Sequence, residues 1–375
     1  MQTEDDSDSG IITPQTGVVE KLSELVDSGE LNAKFVRVES EHSALAACVG
    51  ASLAGVRTFT ATCAHGLLYM HEMVHWAAAS RLPIVMAVVN RALGPPWNIW
   101  ADHNDSVSQR DTGWIQIYCA NHQDAFDSII QAFKIAEDKE VLLPVMVCYE
   151  GFTISHTSQP VEMPEQDEVD AFLPPYNPTH IFIDFDNPIT HGNLQNPDDW
   201  FYEFKYLIHL AHENAKRKIV EVASDFQKRF GRYHGDLVEE YRCQDADAVI
   251  FCMGSLADQA MVAVDELREE GYRAGAVKLR TFRPFPKEEI IRIANRVKAI
   301  SVIDRNLSAG KGGAVASEIK SVLYTEDKKP PVLEFIAGIG GRDVTVQEQK
   351  YALKKAFDVI ETGEIIKDIE WIGRK

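Results

Sequence analysis

The chain has 375 residues, 45% hydrophobic and 25% charged, an ordinary globular composition with room for two or three domains. Its formal net charge of -19 offers no basic face to a phosphate backbone, which excludes nucleic acid as an expected partner. No apolar run reaches the roughly eighteen residues of a membrane span and no signal peptide is visible, so a cytoplasmic protein without membrane contact is expected.

Six cysteines, Cys48, Cys63, Cys119, Cys148, Cys243 and Cys252, are scattered without a C-x-x-C pair. That spacing holds neither an iron-sulfur cluster nor a structural zinc within the chain, and it suits a reducing compartment.

Residues 1 to 9 are acidic and polar and are expected to be disordered. The run Ile11-Ile12-Thr13-Pro14-Gln15-Thr16 then reads as a strand end entering a helix. Pro14 is suited to the first helical position, and Val18, Val19, Leu22, Leu25 and Val26 recur at helical spacing over Gly17 to Leu31. Thr13 brings a hydroxyl to this turn, either for a ligand or simply as a helix cap.

Phe35 to Val38 reads as a short strand, Ser43 to Ala54 as a small-residue helix, and Thr58 to Thr62 as a second strand that runs through a loop into another helix. Alternating short strands and helices predict a parallel α/β sheet whose ligands sit beyond the carboxyl ends of its strands. Glu41 stands at such an end, ahead of an almost uncharged helix, which makes its carboxylate a candidate functional acid. The alternative is a first-turn glutamate favoured by the helix dipole. His71 and His75 share a helix face at a spacing that could hold a metal, but no third ligand stands out.

Leu82 to Asn90 is nearly continuous in apolar residues, as a central parallel strand should be. It ends at Arg91, whose planar fork matches a carboxylate. The long connection through Trp97 to Gly113 is of the kind that is functional or forms an interface. A helix from Asn121 to Glu137 and a strand from Leu143 to Tyr149 close the first domain.

Between residues 155 and 180 five prolines without periodicity suggest an extended arm along a partner, and residues 198 to 230 are strongly helical. Strands Ala248 to Met253, Ala274 to Leu279 and Ala299 to Asp304 alternate with helices Leu256 to Glu270 and Lys287 to Val297 as a second α/β domain. Its Gly254-Ser255 turn could bind an anion at a helix N-terminus, or serve only for tight packing. Neither a phosphate-binding Walker loop nor a dinucleotide fingerprint is present. The layout is a leader at 1-10, a first domain at 11-150, an arm and helical connection at 151-244, and a second domain at 245-375.

Several runs carry a resemblance: Ile12-Thr13-Pro14-Gln15-Thr16, Arg37-Val38-Glu39-Ser40-Glu41-His42-Ser43-Ala44, Asn90-Arg91-Ala92-Leu93 with Asn98-Ile99-Trp100, Asp102-His103, Asp105-Ser106, and Gln109 to Trp114. In the second half, Met253-Gly254-Ser255, Leu279 to Pro286 and Asp304-Arg305-Asn306 continue it. From about residue 11 to 370 the chain resembles the alpha subunit of pyruvate:ferredoxin oxidoreductase. The resemblance implies an α/β protein with a thiamine diphosphate-binding, pyrimidine-type parallel-sheet domain followed by a transketolase C-terminal-like α/β domain.

It further implies oxidative decarboxylation of pyruvate with coenzyme A to acetyl-CoA and CO2, electrons passing to ferredoxin. Thiamine diphosphate would lie between this chain and a beta subunit, which carries the diphosphate site, Mg2+ and a 4Fe-4S cluster; gamma and delta subunits complete the enzyme, and this chain alone binds no metal. Glu41 matches the glutamate that meets N1' of the aminopyrimidine, Thr13 and Arg91 match residues that contact the 2-oxoacid, and His65 and Gly66 lie in a loop near the cofactor.

Two departures stand out. An acidic leader replaces the usual first strand and helix, so a shortened first sheet or gene start is an alternative. Cys63-Ala64-His65-Gly66-Leu67 stands where the family usually has Ser-Ser-Gln-Gly-Leu. The Asn90 to Trp100 loop resembles the pyruvate branch, with 2-oxoisovalerate or oxalate as alternative substrates. A non-catalytic scaffold paralogue and a two-lobed small-molecule binding protein are the competing readings.

Overall fold

The computed structural model describes residues 13–178, 180, 183–364 and 367–375. The expected disordered leader and the strand end at Ile11 and Ile12 lie outside the described residues. In chain order the first half holds α1 (Thr16–Asp27), α2 (Glu41–Leu53), β1 (Phe59–Thr62), α3 (Ala64–Tyr69), α4 (His71–Ala79), β2 (Val85–Asn90), α5 (Asn104–Val107), β3 (Ile115–Tyr118), α6 (His122–Ala136) and β4 (Val145–Glu150). α7 (Gln166–Phe172) and the long α8 (Phe201–Phe230) follow. The remainder holds β5 (Val238–Tyr241), β6 (Ala248–Cys252), α9 (Leu256–Glu269), β7 (Ala274–Leu279), β8 (Thr281–Arg283), α10 (Lys287–Ala294), β9 (Ala299–Asp304), α11 (Ala314–Leu323), β10 (Val332–Ile336), α12 (Val346–Thr362) and β11 (Ile369–Trp371).

Two mainly parallel sheets result. The first runs β1-β2-β4-β3-β8, parallel except for β8 against β3. The second runs β11-β10-β9-β6-β7-β5, parallel except for β5 against β7. β2 is buried along its whole length, which its unbroken apolar run requires of a strand covered on both faces. One apolar cluster joins the two sheets, since Leu45, Trp114 and Tyr118 from the first half share it with Phe251 and Phe282 from the second.

Several sequence expectations give way to tertiary pairing. Phe35 to Val38 is not a strand: no neighbour offers it a hydrogen-bond ladder among the described residues, and Val36 is left 55% exposed. α1 stops at Asp27 rather than Leu31, because Gly29 takes a left-handed φ of 77° just past the end. It starts at Thr16 with Gln15 as its cap, so neither Pro14 at the first helical position nor a Thr13 cap is observed.

The arm after Glu150 is not wholly extended. A capping box of Glu165 and Glu168 starts α7, whose Phe172 is buried edge-on against Phe226 and Phe230 of α8. β3 escapes a pattern search because its Gln116 is fully buried, its amide donating to the Ser106 carbonyl at 2.6 Å. β8 occupies the expected proline-rich turn, using three residues that pair only because β3 lies beside them.

The Gly254-Ser255 turn is not an open anion site. Glu150, at the end of β4, accepts from the Ser255 backbone N–H at 2.9 Å through Oε2 and at 3.1 Å through Oε1, so the anion at the start of α9 belongs to the chain itself. Gly254 has a φ of 64° and stands so close that an added Cβ would meet Glu150 Oε1 at 2.3 Å. The same carboxylate meets His103 Nε2 at 2.9 Å and Arg305 at 3.2 Å. Burial pushes it up, but Arg305 and His103 outweigh that and hold it below the usual range. Among the described residues, no helix is long and apolar enough to cross a membrane.

A second ionic contact crosses between the sheets. Lys278 of β7 lies 2.6 Å from Asp124 of α6, both buried. Burial pushes the Asp124 carboxyl up, yet the Lys278 and Arg280 charges outweigh it and hold it at about 2. A folded value below the unfolded one of about 3.9 means stability that is present above that pH and lost as pH falls through the folded value. In denaturant titrations Asp124→Asn should therefore cost roughly 2 kcal/mol near neutrality, with the difference from wild type shrinking between about pH 4 and pH 2.

Candidate functional site

The site forms where the first sheet ends, at the carboxyl ends of β1 and β2, and a buried carboxylate from α5 organises it. Asp105 Oδ2 accepts from the backbone N–H of Ala64 and of Arg91, each at 3.0 Å. Its Oδ1 accepts from Asn90 Nδ2 at 2.8 Å and from the Ser106 N–H at 2.7 Å. Burial pushes this carboxyl up, against the pull of those four donors. The clamp holds Ala64 at a φ of 41°, a region that a residue with a Cβ enters only when its surroundings dictate it. The turn after β1 and the turn after β2 are thereby locked together.

Arg91 leaves β2 inside this lock with 1% of its surface exposed. Its Nη1 donates to the Thr13 carbonyl at 2.6 Å, and the same carbonyl accepts from the Cys63 thiol at 3.2 Å. Burial pushes that thiol up to about 12, with the Asp105 charge adding to the effect and Arg91 opposing it, so Cys63 acts as a donor and not as a thiolate. Among the described residues neither Nε nor Nη2 of Arg91 has a hydrogen-bond partner. Those two nitrogens lie on one edge of the guanidinium plane, the edge that grips a carboxylate at two points. A buried cation with that edge unpaired fits an anionic ligand.

One aromatic ring lies beside the guanidinium and a second stacks on that ring. Trp97 lies with its ring centroid 4.8 Å from the Arg91 guanidinium carbon and stacks on His65 at 5.6 Å with 4° between planes. His65 Nε2 accepts from the Gly94 N–H at 3.1 Å, which places its proton on Nδ1, a buried atom without a partner.

Glu41 is the first residue of α2, after Ser40 has capped the helix by accepting from the Ser43 N–H. Its carboxylate lies over Gly66, where an added Cβ would stand 2.9 Å from Glu41 Oε1 and 2.8 Å from Thr62 Oγ1. Glu41 has no hydrogen-bond or ion-pair partner among the described residues, and Thr62 Oγ1 is buried without one. A glycine at 66 thus keeps open the space in front of a carboxylate and a hydroxyl, which fits a flat, nitrogen-bearing ring presented edge-on.

The fold brings Arg91, His65, Gly66 and the Thr13 carbonyl to one corner, with Glu41 against Gly66. The Thr13 side chain is exposed, and its part in the corner is its backbone oxygen. Sequence reasoning overlooked Asp105, Thr62, Trp97 and Gln15, whose amide is 1% exposed with neither end partnered. A buried carboxylate that holds backbone donors leaves no periodic trace. His71 and His75 do not form a metal pair: His71 Nδ1 meets Gln109 Oε1 at 2.5 Å and the two rings touch edge to face. Among the described residues no cluster of His, Cys, Asp and Glu side chains is placed to hold a metal ion.

The chain matches two family profiles. Residues 12–224 match "Pyruvate flavodoxin/ferredoxin oxidoreductase, thiamine diP-bdg", and residues 246–349 match "Pyruvate:ferredoxin oxidoreductase core domain II". It is 51% identical over 362 residues to the pyruvate synthase subunit PorA of Pyrococcus abyssi, covering 96% of this chain and 91% of the relative. It is 49% identical over 364 residues to the ketoisovalerate oxidoreductase subunit VorA of Pyrococcus horikoshii, covering 97% and 92%. A solved 2-oxoglutarate:ferredoxin oxidoreductase from Magnetococcus marinus shares the fold, with a TM-score of 0.65 at 19% identity over 92% of this chain and 61% of that one. A split-gene transketolase shares it more distantly, with a TM-score of 0.52 at 13% identity over 85% of this chain and 82% of that one.

The Asp105 clamp generates its own test. In Asp105→Asn one oxygen becomes an N–H donor facing two other donors, so thermal or denaturant unfolding should show a loss of about 2–5 kcal/mol.

Proposed function

The chain belongs to the pyruvate:ferredoxin oxidoreductase family, a thiamine diphosphate-binding domain followed by a transketolase-like domain, and we propose that it is the alpha subunit of an enzyme acting on pyruvate. The reaction is oxidative decarboxylation: pyruvate and coenzyme A give acetyl-CoA and CO2, and the electrons released reduce ferredoxin. The observation that carries this reading is the Arg91 guanidinium, buried and held by Thr13, with its Nε and Nη2 edge unpaired. That edge takes the carboxylate that leaves as CO2.

Thiamine diphosphate supplies, when bound, the nucleophilic carbon that adds to the keto carbon and the electron sink that lets CO2 depart. Glu41 holds the proton shared with N1' of its aminopyrimidine, a task suited to an otherwise unpartnered carboxylate at the mouth of a small-residue helix. Gly66 keeps the ring's approach open, His65 lines the same turn, and Thr13 anchors Arg91 through its carbonyl. A beta subunit contributes the diphosphate site, Mg2+ and a 4Fe-4S cluster, and gamma and delta subunits complete the enzyme.

The 49% identity to a ketoisovalerate oxidoreductase subunit makes ketoisovalerate the alternative substrate, in place of pyruvate. Co-expressed anaerobically with its partner subunits, the chain should support pyruvate- and coenzyme A-dependent reduction of a viologen dye. Glu41→Gln should lower kcat by roughly a hundredfold to ten-thousandfold while the complex still assembles. Arg91→Leu should lower kcat/KM roughly a hundredfold to a thousandfold, mainly through KM for the 2-oxoacid. Undiminished turnover in Glu41→Gln would remove its assigned role, and turnover of no 2-oxoacid by the intact complex would remove the reading as a whole.

A further inference from the structure

Relatives named for pyruvate and for ketoisovalerate match the chain almost equally, at 51% and 49% identity, so overall likeness does not choose the acyl group. The surroundings of the Arg91 edge do. A carboxylate gripped by Nε and Nη2 lies in the guanidinium plane, and the rest of a 2-oxoacid extends outward from that edge among the groups packed beside the guanidinium. One such group is the Trp97 indole, whose ring centroid lies 4.8 Å from the guanidinium carbon.

Trp97 is 74% exposed, so burial does not hold it in place. Its setting does. His65 lies parallel beneath it, itself fixed by the Gly94 N–H and by the turn that Asp105 clamps. The loop that carries the indole closes through the Ala92 N–H to the Trp100 carbonyl at 2.9 Å. Asn98 then ties it to the second domain by donating to the Gly340 carbonyl at 3.0 Å, and the Gly341 N–H donates to the Ala101 carbonyl at 2.7 Å. The loop is thus tied on either side of Trp97, and the indole it carries packs on His65 and beside the Arg91 guanidinium.

We propose that Trp97 is the wall that limits the 2-oxoacid's acyl group to small unbranched chains, and that His65 is the positioning residue that keeps the indole there. The proposal rests on the 2-oxoacid reading of the site and adds the residue pair that sets its specificity. Removing the wall opens room for the branching methyl groups, and each methylene accommodated in a pocket is worth roughly tenfold or more in kcat/KM.

The test uses the assembled complex and measures kcat/KM for pyruvate, 2-oxobutanoate and 3-methyl-2-oxobutanoate. In Trp97→Ala the ratio for the branched acid over pyruvate should rise roughly tenfold to a hundredfold, mostly through KM, with a smaller rise in Trp97→Leu and little change in Trp97→Phe. His65→Leu should move the ratio the same way, and the double variant should add little beyond Trp97→Ala, because the two act through one ring. A ratio that stays at the wild-type value in both Trp97→Ala and Trp97→Leu overturns the proposal, as does full additivity of the two sites. A wild-type complex that turns over no 2-oxoacid overturns the functional reading and this inference with it. A wild type that turns over pyruvate while the variants leave the ratio unmoved overturns this inference alone.

Discussion

The Asp105 carboxylate is the constraint on which the rest of the site depends. Among the described residues it is buried without an ionic partner, so its stability rests on the four N–H groups that converge on it. Because two of them are the backbone N–H of Ala64 and of Arg91, the turns after β1 and β2 cannot move independently. That coupling forces Ala64 into its left-handed backbone, and it sets where His65 and Gly66 follow and where the Arg91 side chain emerges. Strain of this kind persists only when the surroundings over-determine it, and here they do.

A second layer of polar contacts makes the two sheets one object. Glu150 closes the first sheet and caps α9 of the second half, with His103 and Arg305 on its flanks. The glycines at 338, 340 and 341 all take positive φ values near 70°, and added side chains there would strike Arg305, Asn98 and Trp100. Their smoothness is what lets the 98–101 loop dock. The second domain therefore holds in place the loop that carries Trp97.

The polar atoms left over are informative because most of their neighbours are satisfied. Around the corner almost every donor has its acceptor, yet one edge of Arg91, Nδ1 of His65, Thr62 Oγ1 and the Gln15 amide do not. Such groups are costly in a core and are concentrated where a ligand completes them. Their grouping at the ends of β1 and β2 agrees with the general placement of ligands in parallel sheets, beyond the strands' carboxyl ends.

Periodicity and residue chemistry made much of this readable in the sequence. The apolar run of β2, the alternation of strands and helices, and Arg91 at the end of β2 are local patterns, and the quoted runs were specific enough to identify the family; Glu41 heads α2, but with no strand before it among the described residues. Tertiary structure alone decided the rest. Phe35 to Val38 has a strand's composition but no neighbour to pair with among the described residues, whereas Thr281 to Arg283 lies in a proline-rich turn and becomes a strand because β3 is there. The Gly254-Ser255 turn has the form of an anion site, and only the fold shows that Glu150 fills it. That Arg91 keeps one edge unpaired among the described residues and that Trp97 packs beside the guanidinium depends on Asp105, Thr13 and His65, which are distant in sequence. Hydrogen bonds between such residues leave no period for a sequence to display, so the corner exists only once the chain has folded.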